Sequence, residues 1–277
     1  CPMSNAGGQD SVDVVVVGSG AGGGPLAARL ARAGVSVVVL EAGAAFTPDS
    51  HIPDELTTGI YWMEERLSGG QTPTAFGPNN SGCGLGGSTL HWGAFCPRPD
   101  KRDFRLLTQT GQGADWPIPH HELVAYVRRV ETFIGVSGPV HYPWDPERSY
   151  VYRPPQRNAS ATAMAHGCGA LGIRTTDAPA ALVTRPHQQA HWGQRAACNN
   201  CGACHQGCSN AAKVSVDTTW LPLARAHGAQ LRTDSRVVDL ECDGRSAVTA
   251  VIYRQHGQEY RQRCSTVFLC AGGVETP

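Results

Sequence analysis

The order of apolar and polar positions is most regular near the start of the chain. Residues 12–17, VDVVVV, form an almost continuous apolar run rich in β-branched side chains. A strand covered on both faces of a parallel sheet reads this way, whereas a half-exposed strand alternates. The run passes into GSGAGGG, after which Leu26, Ala27, Leu30 and Ala31 recur at helical spacing and predict a helix over residues 22–33. Pro25 fits the first turn of that helix, where its missing N–H costs nothing. Gly34 stops the helix, and VSVVVL at 35–40 predicts a second strand. Later, residues 122–131 are amphipathic and 231–240 read as one strand. The proline-rich stretch 143–155, PWDPERSYVYRPP, predicts a connection laid over the surface.

The glycines between the first strand and helix change this picture from local structure to chemistry. Gly18, Gly20 and Gly23 satisfy G-x-G-x-x-G, with Ala21 and Gly22 inside the motif. The first glycine permits the tight turn, the second lets the backbone approach a pyrophosphate, and the third allows helix and strand to pack closely. Glu41, followed by Ala42, ends the second strand 18 residues beyond Gly23. A carboxylate there accepts hydrogen bonds from both ribose hydroxyls. Strand, glycines, helix, strand and acid in this order predict a dinucleotide-binding unit over residues 12–43. The acid would repel the 2′-phosphate of NADP; this segment alone does not separate FAD from NAD.

Composition narrows the partners. The chain has 277 residues, 41% hydrophobic, with a formal net charge of zero, enough for one large domain or two smaller ones. A neutral balance gives no long-range pull on nucleic acid or an anionic membrane, so neither is expected as a partner. No run approaches the roughly 18 apolar residues of a membrane span. The first ten residues carry no basic-then-apolar signal pattern, although a start at Cys1 hints at processing or truncation. A cytoplasmic location is favoured, with the periplasm as the alternative. Most histidines, His120, His121 and His187 among them, are expected at the surface, and Met164 in core packing.

The chain has eleven cysteines, and Cys198, Cys201, Cys204 and Cys208 have the spacing C-x2-C-x2-C-x3-C. Ferredoxins use this spacing to bring thiolates onto one small inorganic core, with Gly202 and Gly207 here supplying bends. The fourth Cys is followed by Ser209 rather than Pro, and a second set of cysteines is missing. An iron–sulfur cluster, 4Fe-4S or 3Fe-4S, is the leading reading. A tetrahedral zinc site and a set of metal-free thiols remain open beside it. A cluster would let a two-electron donor release electrons singly to a cytochrome or quinone.

A second glycine pair makes the cofactor choice clearer. Residues 84–104, GLGGSTLHWGAFCPRPDKRDF, together with LEAG at 40–43, resemble the glucose-methanol-choline (GMC) family of FAD-dependent oxidoreductases. The resemblance continues through DWPI at 115–118 and GVSG at 135–138 to VFLCAGGVETP at 267–277. It implies FAD, with Gly18, Gly20 and Gly23 at the pyrophosphate and Glu41 at the adenosine ribose. Gly86, Gly87 and Ser88, then His91, Trp92, Gly93 and Ala94, would lie along the flavin. Val237 would offer its backbone to the adenine, and Ala271 would pass near the phosphates. The pair His91-Trp92 is similar to that of the family's sugar and sugar-acid dehydrogenases, and His91 is expected to pack on the flavin without a covalent bond.

The fold implied is α/β, a Rossmann-like FAD-binding domain with a mostly parallel three-layer sheet and a partial α+β substrate domain inserted in it. Residues 1–140 and 216–277 would form the FAD-binding part, and 141–215 the insertion with the cysteine run. The implied activity is oxidation of a CH–OH group of a sugar, polyol or alcohol by hydride transfer to flavin. The cluster would then pass electrons to an external acceptor. An oxygen-using alcohol oxidase and a truncated chain that only binds FAD are the alternatives. The family's proton-accepting His lies in its C-terminal third, so the catalytic base is expected beyond Pro277.

Overall fold

The computed structural model describes residues 11–51, 81–143, 145 and 147–276. Residues 52–80 of the expected first domain, Trp144 and Pro146 of the proline-rich connection, and Pro277 of the final turn lie outside the described residues.

The elements in order are β1 (Ser11–Val17), α1 (Gly23–Arg32), β2 (Val37–Leu40), α2 (Leu106–Thr110), α3 (His120–Ile134), α4 (Ala159–Ala170), β3 (His187–Gln189) and β4 (Gly193–Arg195). They are followed by α5 (Trp220–Ala226), β5 (Gln230–Arg232), β6 (Arg236–Cys242), β7 (Val248–Gln255), β8 (Gln258–Leu269) and α6 (Gly272–Glu275). One six-stranded sheet, in the order β5-β2-β1-β8-β7-β6, organises the chain. β5, β2, β1 and the second half of β8 run parallel, with Val14 opposite Val37 and Thr266. The first half of β8 instead pairs antiparallel with β7, so residue 263 is where one long strand changes partners.

Both faces of β1 are covered, which explains its unbroken apolar sequence. Val14 and Val16 meet Ala27, Ala28 and Ala31 of α1 and Leu223 and Ala224 of α5 on one side. Val12, Val15 and Val17 meet Val38, Leu40, Val251 and Tyr253 on the other. The α1 residues on that face are small, so the helix seats closely on the sheet and holds its N-terminus above the end of β1.

Four expectations are corrected by packing. Residues 231–240 are not one strand but the end of β5, a turn and most of β6. The amides of Asp234 and Ser235 donate to the carbonyls of Gly43 and Glu41, and Asp234 takes φ +54°, so the chain reverses across the end of β2. The connection 143–155 is not merely laid over the surface. Arg148 is buried, donates to Glu131 and to the Cys96 carbonyl at 2.9 Å, and Tyr152 is buried with its hydroxyl 2.6 Å from His187 Nδ1. His187 is therefore a packing residue rather than a free surface histidine. Met164, in contrast, is 68% exposed on α4 and takes no part in the core.

Residues 94, 180–182 and 212–214 form a third assembly without a sheet of its own. Ala94, Ile134, Val136, Ala181 and Val214 cluster there, joined by single bridges such as Leu182 to Lys213. At its base, Arg195 is fully buried and donates to the carbonyls of Ile134, Ala211 and Ala212 and to Gln189 Oε1, at 2.7–3.1 Å. Among the described residues no helix is long and apolar enough to cross a membrane.

Candidate functional site

The parallel half of the sheet ends in a cavity of about 390 Å³ at the carboxyl ends of β1, β2 and β8. That is where open α/β sheets hold ligands, because the loops diverge there and helix N-termini point inward. Five separated stretches meet around it: the turn 18–22, Glu41 with Ala42, residues 81–83 with 87–88, residues 235–237, and residues 269–272.

Glycine is required where these stretches touch. Gly18 takes φ +92°, and a Cβ there would stand 2.5 Å from the Cys270 carbonyl oxygen. Gly87, at φ +56°, would drive a Cβ to 2.9 Å from Gly20 Cα. The two glycine-rich turns are thus in backbone contact, 67 residues apart in sequence at their hydrogen-bonded link between Ser19 and Gly86. No side chain caps α1 and no acidic residue occupies its first turn, so the positive end of its dipole faces the cavity uncompensated.

Glu41 is 6% exposed and oriented by three donors. The Ser19 amide and hydroxyl both donate to Oε2, at 3.0 and 2.6 Å, and the Gly43 amide donates to Oε1 at 3.0 Å. A carboxylate has about four lone-pair sites, so acceptor capacity is left on the side that borders the cavity. The Ser19 oxygen in turn accepts the Gly86 amide at 2.9 Å. Ser19 therefore locks Glu41 to the second glycine turn, and its one hydroxyl hydrogen is already given to that carboxylate.

Of the residues expected from sequence, Gly18, Gly20, Ala21, Gly22, Glu41, Ala42, Gly87, Ser88, Val237 and Ala271 line the cavity. Gly23 lies behind it, against the Gly18 carbonyl, and Gly86, whose amide donates to Ser19 Oγ, is not among its lining residues. His91, Trp92, Gly93 and Ala94 are not among its lining residues. Ala94 is fully buried in the Ile134–Val214 cluster, and Trp92 Nε1 donates to the Val214 carbonyl at 2.7 Å. His91 is buried beside them, and burial together with the Lys213 ammonium holds its proton affinity below the ordinary histidine value. Residues 81–83, Ser235, Arg236, Cys270 and Gly272 line the cavity without having been expected. So does Ser19, whose sole sequence signal was a hydroxyl inside G-x-G.

Behind the second glycine turn, Asp217 has a buried Oδ1 without a hydrogen-bond partner, and burial pushes its carboxyl up to about 6. Lys213 is buried nearby, and desolvation pulls its ammonium down to about 8.

The cysteine run departs from expectation. Among the described residues no group of three or more His, Cys, Asp or Glu side chains converges as a metal site. Cys208 Sγ lies 3.1 Å from Asn210 Oδ1 and accepts the Lys213 amide at 3.3 Å, Cys198 Sγ accepts the Asn200 amide at 3.5 Å, and Cys201 is exposed. Cys198 and Cys208 thus have local partners, while the charges of Cys198, Cys201, Cys204 and Cys208 act on one another: Cys198 and Cys204 are each raised by burial and in part by other cysteines of the run.

Comparison with known proteins bears on both glycine turns. A profile described as GMC oxidoreductase matches residues 68–277, and one described as FAD binding domain matches residues 13–53. The chain is 30% identical to a 2-methyl-1,2-propanediol dehydrogenase of Mycolicibacterium austroafricanum, over 97% of this chain and 50% of that protein. It is 28% identical to the fructose dehydrogenase large subunit of Gluconobacter japonicus, over 96% of this chain and 53% of that one. Pyridoxine 4-oxidase from Mesorbium loti shares the fold, with a TM-score of 0.63 and 18% identity over 96% of this chain and 50% of that structure. The chain thus spans about half the length of the curated relatives it matches. FAD is the dinucleotide that these matches support.

Proposed function

The chain belongs to the GMC oxidoreductase family, and from that premise we propose that it holds the FAD of an enzyme oxidising a CH–OH group of a small alcohol, polyol or sugar. The observation that carries this reading is the oriented Glu41 carboxylate facing a cradle that only glycine backbones can form. When bound, FAD supplies the hydride acceptor. The chain's own part is binding and orientation. The turn 18–22 presents amides to the pyrophosphate, Glu41 accepts the ribose hydroxyls, and residues 86–91 support the flavin end. The proton on the substrate hydroxyl needs a general base, and none is assigned among the described residues.

The substrate class is supported by the relatives' names, a diol dehydrogenase and a fructose dehydrogenase subunit. A finer reading routes electrons through an iron–sulfur cluster on Cys198, Cys201, Cys204 and Cys208. The spacing supports it, no ready metal group forms among the described residues, and no step here runs through iron.

The test is to purify the protein, release its cofactor by denaturation and identify it by mass, then add a panel of alcohols, polyols and sugars anaerobically to the holoprotein. FAD that loses its visible absorbance with one of these substrates is the expected result. A bound nicotinamide cofactor, or no dinucleotide after incubation with FAD, overturns the reading. Repeating turnover with oxygen and with an artificial acceptor dye separates an oxidase from a dehydrogenase.

A further inference from the structure

We propose that Lys213 is a positioning residue that sets the shape of the turn carrying His91 and Trp92 by tying it to the loop that carries the cysteines. This rests on the reading above, in which residues 86–91 support the flavin end of FAD.

Lys213 is 2% exposed, and its ammonium spends all three hydrogens on main-chain carbonyls. It donates to Leu90 at 2.8 Å, to Trp92 at 3.2 Å and to Cys204 at 2.8 Å. Two of these acceptors flank His91, so one charged group closes the turn around that residue. The third belongs to the cysteine loop, 114 positions away from Leu90 in sequence (204 − 90).

The residues after Lys213 continue the same grip. The Val214 carbonyl accepts Trp92 Nε1, and the Val216 amide donates to Thr89 Oγ1 at 3.0 Å, whose own hydrogen goes to the Gly86 carbonyl at 2.5 Å. Residues 213–216 therefore hold the segment 86–92 at several points, from the glycine turn to the tryptophan. The two loops also touch directly: a Cβ at Gly93 would stand 2.8 Å from His205 Nε2. A buried ammonium bonded to carbonyls is a firmer tie than a neutral amide, because hydrogen bonds with one charged partner are stronger and shorter. Removing it leaves three carbonyls facing each other with no donor between them.

The geometry requires that the two loops open together. Hydrogen exchange on cofactor-free protein tests this without any flavin. In the wild type, the slowest amides of residues 90–93 and 203–208 should exchange at rates within about tenfold of each other, as one cooperative unit does. In Lys213→Met both segments should exchange at least about tenfold faster, while β1, β2 and β8 keep their wild-type rates. FAD-loaded protein gives the second reading: visible circular dichroism of the flavin should change in Lys213→Met and recover partly in Lys213→Gln, which keeps two donors. Wild-type segments that exchange independently overturn the proposal, and this holds even if Lys213→Met does not fold. So does a folded Lys213→Met whose exchange rises everywhere equally, since that is a loss of global stability. If exchange behaves as expected but flavin dichroism is unchanged, Lys213 couples the loops and the placement of flavin beside residue 91 is what fails.

Discussion

Replacing Ser19 by Ala should cost far more than an ordinary loss of one hydroxyl. The side chain is fully buried and its oxygen serves two partners, donating to Glu41 Oε2 at 2.6 Å and accepting the Gly86 amide at 2.9 Å. The first bond has a carboxylate acceptor, a class that contributes about 1.5–3 kcal/mol. The second loss orphans a buried N–H, at about 1–3 kcal/mol unless water reaches it. The neighbouring cavity gives water a route to both groups, which places the expected net loss at roughly 2–4 kcal/mol. Urea unfolding of cofactor-free protein measures it, with a lower midpoint and an unchanged slope. Glu41 keeps its two backbone donors, so the fold should survive, but its carboxylate is freer to turn. FAD affinity should then drop about tenfold, the equivalent of ~1.4 kcal/mol. A double-mutant cycle with Glu41→Gln isolates the coupling, expected at about 1 kcal/mol or more. Stability within about 0.5 kcal/mol of wild type and unaltered FAD affinity would refute the claim that Ser19 joins the two turns.

Three other outcomes follow from the same structure. Gly87→Ala should fold but purify without flavin absorbance, because its φ of +56° and the Gly20 Cα at 2.9 Å leave a Cβ no room; a yellow variant would contradict the cradle. Arg195→Met should lower stability by about 4 kcal/mol or more in urea, since four acceptors lose their donor in a fully buried site; a loss below about 1 kcal/mol would show that those acceptors find other partners. His51 should contribute a fall in stability as pH drops from about 6.5 to about 4, because burial and the nearby Lys213 charge hold it at about 4 in the folded state, while Asp217, raised to about 6 by burial, contributes in the opposite sense over the same range. The unfolded chain binds the His51 proton first, so the His51 contribution is fully present above pH 6.5 and lost below it, up to about 3 kcal/mol. His51→Asn should make stability at about pH 4.5, taken relative to about pH 7, higher than in the wild type, and an identical pH dependence in the variant would place the effect elsewhere.

The sequence by itself determined β1, α1, β2, the glycine turn and Glu41, because each is a local requirement. A strand covered on both faces must be apolar throughout, a turn at φ +92° must be Gly18, and the spacing to the acid is set by the length of one helix and one strand. The second glycine turn was legible only through its resemblance to a family, as its partner in space lies in another part of the chain. The cysteine run had metal-site spacing, yet spacing says nothing about where sulfurs point, and those of Cys198 and Cys208 meet Asn200, Asn210 and the Lys213 amide. The reversal at Asp234 was also hidden, since the carbonyls that hold it belong to residues 41 and 43. Ser19 and Lys213 left no periodic mark at all. Their bonds reach 67 and 123 residues along the chain, and a single buried donor with distant acceptors acquires its role only when the sheet closes and brings those loops together.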